Sequence, residues 1–209
     1  MALCAAPMRH LIEGYRAFRR DSWPSRKAVF EELAMHGQKP RAMVVACSDS
    51  RVSPTTVFNA APGELFTLRN VAAIVPPYAP GHPTQGTSAA LEFGVRVLEV
   101  PLVIVLGHGM CGGVHALLNG APEGAGDFIP AWLSIAREAR ARTLECAAVE
   151  ERQSRGEHEV VKLSLRNLAA YPWVAERMAA GRLELQGAIF DIRTGLLEVL
   201  GADGEFRPA

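Results

Sequence analysis

Two short apolar runs in this chain stop on residues that no hydrophobic core would select. The first, Ala42-Met43-Val44-Val45-Ala46, leads into Cys47-Ser48-Asp49-Ser50-Arg51. The second, Leu102-Val103-Ile104-Val105-Leu106, leads into Gly107-His108-Gly109-Met110-Cys111-Gly112-Gly113. Short, partly β-branched runs of this kind read as buried strands. A fold that sets the two strands side by side would bring Cys47 to one strand tip and His108 and Cys111 to the other. Two thiolates and one imidazole suit Zn²⁺, and three protein ligands leave a fourth position open for chemistry. A Cys47–Cys111 disulfide is the competing reading, which a reducing compartment disfavours. Asp49 and Arg51 follow the first thiol at intervals of two. An Asp beside an Arg stays ionised, so Asp49 can act as an acceptor that orients a nucleophilic oxygen. A purely structural ion pair in a turn is the plainer alternative.

The rest of the chain supplies strands and helices in alternation. Residues 8–20 read as an amphipathic helix with Leu11, Ile12, Tyr15 and Phe18 on one face. Pro24 suits the first turn of a second helix, which Gly37 ends. A short helix follows Pro54, and residues 64–69 form a second strand. The four prolines of residues 75–83 require a loop there. A helix over 84–99 precedes the strand at 102–106, and another opens at Gly112-Gly113. Residues 128–170 are expected to be helical with a break at Gly156, and Tyr171-Pro172-Trp173 restarts a helix that Gly181 ends. Residues 183–187 alternate as a strand. Arg193-Thr194-Gly195 turns the chain into residues 196–200 as an antiparallel edge, and the last nine residues are expected to be mobile. This order implies one α/β domain over 1–209, with an N-terminal helical arm at 1–36 and a core at 37–202. The core would be a central, mostly parallel sheet with an antiparallel edge strand, flanked by helices. In such sheets ligands bind beyond the carboxyl ends of the strands, where both Cys/His motifs lie.

Beyond the two motifs, Pro62-Gly63-Glu64-Leu65-Phe66, Arg69-Asn70-Val71-Ala72 and the run from Gly86 to Phe93 carry a wider resemblance, as do Ser164-Leu165-Arg166-Asn167-Leu168 and Gly187-Ala188-Ile189-Phe190-Asp191. Over residues 8–200 the sequence resembles the β-class carbonic anhydrases. The resemblance implies one Zn²⁺ per chain on Cys47, His108 and Cys111, and reversible hydration of carbon dioxide to bicarbonate and a proton. Asp49 and Arg51 would serve the reaction, with Asp49 a possible fourth ligand. Gln38, Phe66, Val71, Phe93 and the Gly112 backbone N–H would line the substrate pocket, although Phe93 replaces a Tyr found in some members. It further implies a homodimer or a dimer of dimers, with the N-terminal arm lying across a partner. One branch of the family holds bicarbonate in a side pocket made by a Trp, an Arg and a Tyr. Here the matching positions are Val44, Arg69 and Phe190, so two of three polar contacts are missing. Water rather than Asp49 is then expected on the metal at neutral pH. Hydrolysis of COS or CS₂ on the same scaffold and a non-catalytic zinc- or bicarbonate-binding protein are the rival functions.

Composition narrows the partners. Lys and Arg number 22 against 22 Asp and Glu, so nothing points to nucleic acid or an anionic membrane. No apolar run approaches the roughly 18 residues a spanning helix needs, so no membrane insertion is expected. The apolar start, residues 1–8, is too short for a signal peptide, and a cytoplasmic location is expected. Cys4 and Cys146 are not needed for metal. No proton shuttle is readable from the sequence; His82, in the proline loop, is a candidate, although an exposed loop histidine is more often idle.

Overall fold

The computed structural model describes residues 6–81 and 85–209; Cys4 and His82 lie outside them. The chain forms two compact units, Met1–Gln38 and Lys39–Ala209.

The first unit is helical from Ala6 to His36. Helix α1 (Ala6–Ala17) passes through one wide π-helical turn, Phe18–Ser22, into α2 (Trp23–His36). Pro24 sits in the first turn of α2, where its missing N–H has no acceptor to satisfy. Gly37, at φ 78°, ends it. Trp23 stacks on Phe30 at 5.2 Å and meets Phe18 edge-on at 6.1 Å, with the Arg19 guanidinium 4.8 Å above the indole. Of the expected apolar stripe of α1, Leu11 and Tyr15 are 67% and 60% exposed, whereas Ile12 and Phe18 are half-buried.

The second unit is built on a sheet of six strands among the described residues. These are β1 (Ala42–Cys47), β2 (Leu65–Asn70), β3 (Leu102–His108), β4 (Glu184–Phe190), β5 (Leu197–Leu200) and β6 (Phe206–Pro208), in the order β2-β1-β3-β4-β5-β6. The first four run parallel, β5 pairs antiparallel with β4, and β6 antiparallel with β5. All six residues of β1 are buried, as a strand covered on both faces requires. After β1 the chain places β2 on one side and later returns to place β3 and β4 on the other. The β1/β3 junction is therefore the point where strand order reverses, and a crevice opens there beyond the strand ends.

Helices fill the connections: α3 (Pro54–Val57), α4 (Gly86–Glu92), α5 (Gly112–Asn119), α6 (Ile129–Leu133), α7 (Arg137–Cys146), α8 (Arg152–Ala169) and α9 (Pro172–Ala179). The α8 residues Val161 and Leu168 bury against β3 and β4. Its other apolar residues, Val160 and Leu163, close a second cluster with Val114, Leu117 and Leu118 of α5.

Three expectations need correction. The helix expected over 84–99 keeps α-helical geometry only to Glu92 and then widens into a π turn, Phe93–Val97, where Leu98 N–H donates to the Phe93 carbonyl at 2.9 Å. A Cβ on Gly94 would stand 2.6 Å from Met43 Sδ, so the glycine lets this turn lie close on β1. The break expected at Gly156 occurs instead at residues 147–148, where Ala147 is extended. Gly156 continues α8, and its missing side chain admits Leu118 and Val114, which would stand 3.0 and 3.1 Å from a Cβ. The last residues are not loose: β6 pairs with β5, and the Phe206 ring stacks on His158 at 4.5 Å.

One close approach shapes the site. Residues Val71–Ala73 form a 3₁₀ turn after β2, in which Ala72 and Ala73 take φ of 64° and 53°. Left-handed backbone at two consecutive non-glycine residues is strained. Gly113 packs on this turn, and a Cβ there would lie 2.8 Å from Val71 Cγ1 and 2.9 Å from Ala72 Cβ. Gly113→Ala should therefore destabilise the fold by about 1–3 kcal/mol through overpacking. Denaturant unfolding of the two proteins checks this, and equal midpoints would count against it.

Candidate metal centre

Cys47 is the last residue of β1 and His108 the last of β3. The β1–β3 register pairs Ala46 with Leu106, so the two strands run out within one residue of each other. Cys111 is brought back toward them by Met110, which adopts φ 57°. The Cys47, His108 and Cys111 ligand atoms all lie within 4.8 Å of one another, and all three residues are buried.

Two observations test whether a metal fits. The sulfurs stand 3.9 Å apart, far from the roughly 2.0 Å of a disulfide. Tetrahedral coordination with metal–sulfur bonds of about 2.3 Å would set them about 3.8 Å apart. His108 Nδ1 lies 2.9 Å from the Gly109 carbonyl, an acceptor, so the proton sits on Nδ1 and the lone pair on Nε2. Nε2 is buried and has no partner. A buried imidazole lone pair aimed at two thiols is what a soft-to-borderline divalent metal requires. With no ion between them, the S–H···S bond from Cys111 holds the Cys47 thiol down to about 4. The same bond, with burial, pushes the Cys111 thiol up, since a second thiolate would face the first. A divalent cation would remove that conflict.

Asp49 and Arg51 form a bidentate pair: Nε donates to Oδ1 at 2.9 Å and Nη2 to Oδ2 at 2.7 Å. The Arg51 backbone N–H adds a bond to Oδ1 at 2.9 Å. These donors hold the carboxyl well below the usual carboxylate range. Asp49 Oδ2 is 3.9 Å from His108 Nε2, at the rim of the ligand cluster. Arg51 Nη2 also donates to the Met110 carbonyl at 3.0 Å, tying the two ligand loops together.

Comparisons with known proteins agree on what this arrangement belongs to. Residues 42–197 match the family model described as carbonic anhydrase. A carbonic anhydrase of Pseudomonas aeruginosa is 39% identical over 202 residues, covering 95% of this chain and 90% of that protein. The chain belongs to the β-carbonic anhydrase family. It is accordingly an enzyme, a carbonic anhydrase, and carbon dioxide hydration is its chemistry. Beta carbonic anhydrase 3 of Arabidopsis thaliana is 36% identical over 204 residues, covering 94% of this chain and 78% of that one. The structure of the β-carbonic anhydrase CcaA superposes with a TM-score of 0.91 at 33% identity, covering 98% of this chain and 93% of that one.

In this β-carbonic anhydrase the pocket residues expected from sequence separate into two groups. Val71 and Gly112 lie beside the ligands, Val71 against Gly113 and Gly112 facing open space at the start of α5. Phe66 does not: it pairs with Met43, four residues or about 13 Å up the strand from the level of Cys47. Phe93 is 44% exposed and packs on Phe66 at 5.8 Å. Gln38 closes the N-terminal unit. Val44 and Phe190 lie in one apolar cluster with Ala46, Val52 and Leu106, and offer an anion nothing.

Arg69 has a part that sequence reading did not assign it. Nε donates to the Cys47 carbonyl at 2.8 Å, and Nη2 to the carbonyls of Asp49 and Val52, both at 2.6 Å. One guanidinium thus gathers three carbonyls of the Cys47–Val52 loop. Two further residues were missed. Glu157 Oε1 accepts the Cys111 N–H at 2.9 Å, and Gln153 Nε2 donates to the Cys111 carbonyl at 3.1 Å. The available signal was a glutamate on the apolar stripe of α8, four residues before Val161. Arg69→Gln should lower stability by about 1–3 kcal/mol for each carbonyl left without a donor. Denaturant unfolding measures it, and an unchanged midpoint would show that the loop holds itself.

Proposed function

We propose that the enzyme catalyses reversible hydration of carbon dioxide to bicarbonate and a proton on one Zn²⁺ per chain, held by Cys47, His108 and Cys111. The observation that carries this reading is the buried, unpartnered His108 Nε2 facing two sulfurs 3.9 Å apart, beside a carboxylate kept ionised by Arg51. When bound, zinc supplies a Lewis acid that brings a water pKa from about 15.7 toward 7. The chain's own residues do the rest. Asp49 can only accept a hydrogen bond while Arg51 holds it ionised, so it would accept the O–H of the reacting water or hydroxide and turn the oxygen lone pair toward carbon dioxide, the proton leaving to buffer. Arg51 fixes Asp49 through two parallel bonds, which leaves its orientation little freedom. Val71 gives the carbon dioxide an apolar wall, and the Gly112 N–H stands at the positive end of α5.

Phe66 lies about 13 Å along its strand from the level of Cys47 and Phe93 packs on it, so in this reading the two line the pocket of a second copy. The reading is therefore of a homodimer or a dimer of dimers. Two relatives from Sordaria macrospora, described as tetrameric β-carbonic anhydrases, are compared at 28% identity and a TM-score of 0.82, covering 94% of this chain and 98% of that one. The exposed Leu11 and Tyr15 of α1 support the same assembly. No helix among the described residues is long and apolar enough to cross a membrane, and buried free thiols suit the proposed cytoplasmic location.

Elemental analysis should find one zinc per chain, lost in Cys47→Ser and kept in Cys146→Ser. Stopped-flow carbon dioxide hydration, run beside COS consumption, tests the substrate; COS turnover without hydration would displace the proposal. Asp49→Asn should keep its zinc yet lose about 10²- to 10⁴-fold in rate, the usual effect of removing a positioned acid–base group. Wild-type turnover in that variant would reduce the pair to a structural one. Deleting residues 1–22 should make the oligomer dissociate on dilution in sedimentation velocity, and a concentration-independent assembly would refute the arm's role.

A further inference from the structure

The zinc chemistry above makes no use of the buried carboxylate of Glu157, which is only 5% exposed. It comes from the first half of α8, yet it borders the same small cavity as Cys47, His108 and Cys111. An ionisable group in such a place is costly unless it is paired or hydrogen-bonded. Its bonds all lead to the metal loop. Oε1 accepts from the Cys111 N–H at 2.9 Å and from Gln153 Nε2 at 2.6 Å. Gln153 Nε2 also donates to the Cys111 carbonyl at 3.1 Å. Between them the two side chains take both backbone polar groups of Cys111, its N–H and its carbonyl.

The reason for this arrangement lies at the start of α5. Cys111 is the residue that caps that helix, and it makes no side-chain capping bond. Its side chain belongs to the ligand set, and a helix N-terminus leaves N–H groups in need of acceptors. Glu157 supplies the acceptor from a neighbouring helix. Met110 meanwhile holds left-handed backbone at φ 57°, which is sustained only where its surroundings over-determine it. Arg51 on the Met110 carbonyl and Glu157 on the Cys111 N–H grip that turn from its two sides.

We infer that Glu157, with Gln153, is a positioning residue for the metal centre: it holds the Cys111 peptide so that its thiolate meets Cys47 Sγ and His108 Nε2 at one point, and it strengthens the hold on a divalent cation. This rests on the zinc reading above. Competition against a chromophoric chelator, at fixed pH and ionic strength, tests it on the full chain. Glu157→Gln keeps the volume but offers a weaker acceptor to the Cys111 N–H and to Gln153, and its zinc affinity should fall about 10- to 100-fold, as for other partners of metal ligands. In the cobalt-substituted protein the thiolate-to-cobalt absorption band should shift, and the unfolding midpoint of metal-free Glu157→Gln should stay near wild type. Should Glu157→Ala fail to fold, Gln153→Ala gives the second variant, with the same direction in affinity and spectrum. Wild-type zinc affinity and an unchanged cobalt spectrum in Glu157→Gln would overturn the inference alone. A wild-type protein that binds no zinc would overturn the metal reading and this inference with it.

Discussion

Parallel pairing of β1 with β3 sets Ala46 against Leu106, and from that register the rest of the centre follows. Side chains alternate along a strand, so a slip of one residue would turn every one of them to the other face. Cys47 would then leave the cavity and the β1 core residues would reverse. The register is secured by burial: Val44, Val45, Val103 and Val105 are fully enclosed, and neither strand can shift without exposing them. Packing thus positions chemistry that it does not itself contain.

The two loops that finish the site are steadied by opposite means. The Cys47–Val52 loop turns carbonyls inward, and a cation from β2, Arg69, collects them. The 108–111 loop turns the Cys111 N–H inward, and an acceptor from α8, Glu157, receives it. Each loop is short and irregular, and buried backbone groups need partners wherever regular structure ends. Arg51 joins the loops through Asp49 and the Met110 carbonyl. The charge pattern is therefore backbone satisfaction and catalytic geometry at once.

Much of this could be read from the chain because it depends on local chemistry. The thiols and the imidazole fall at strand ends, and the Asp-x-Arg spacing places acceptor and donor two residues apart, close enough to pair across one turn. Gly156 misled because a glycine in a helix has two readings, a break or a close approach, and only the position of α5 decides between them. The residues after 200 misled because Phe206 has no partner within its own segment; His158, far back in α8, provides one. Glu157 escaped notice for a similar reason, since its acceptor role depends on a peptide 46 residues away. Phe66 and Phe93 show a further limit: a family pattern names residues of a pocket, yet Phe66 lies four residues along its strand from the level of Cys47, with Phe93 packed on it.

The strained turn at Ala72 and Ala73 also restricts how this sequence can drift. A larger side chain at 72 would strike Gly113, whose own Cβ is already excluded by the Ala72 methyl. A β-branched residue at either position would suffer the left-handed backbone more than alanine does. Glycine alone relieves the conformation, and it slackens the turn that carries Val71 to the ligands. Positions 72 and 113 therefore form a lock of two small residues, in which enlarging one is blocked while the other keeps its place. Change in this part of the enzyme is channelled toward the smaller side chain and away from every bulkier one.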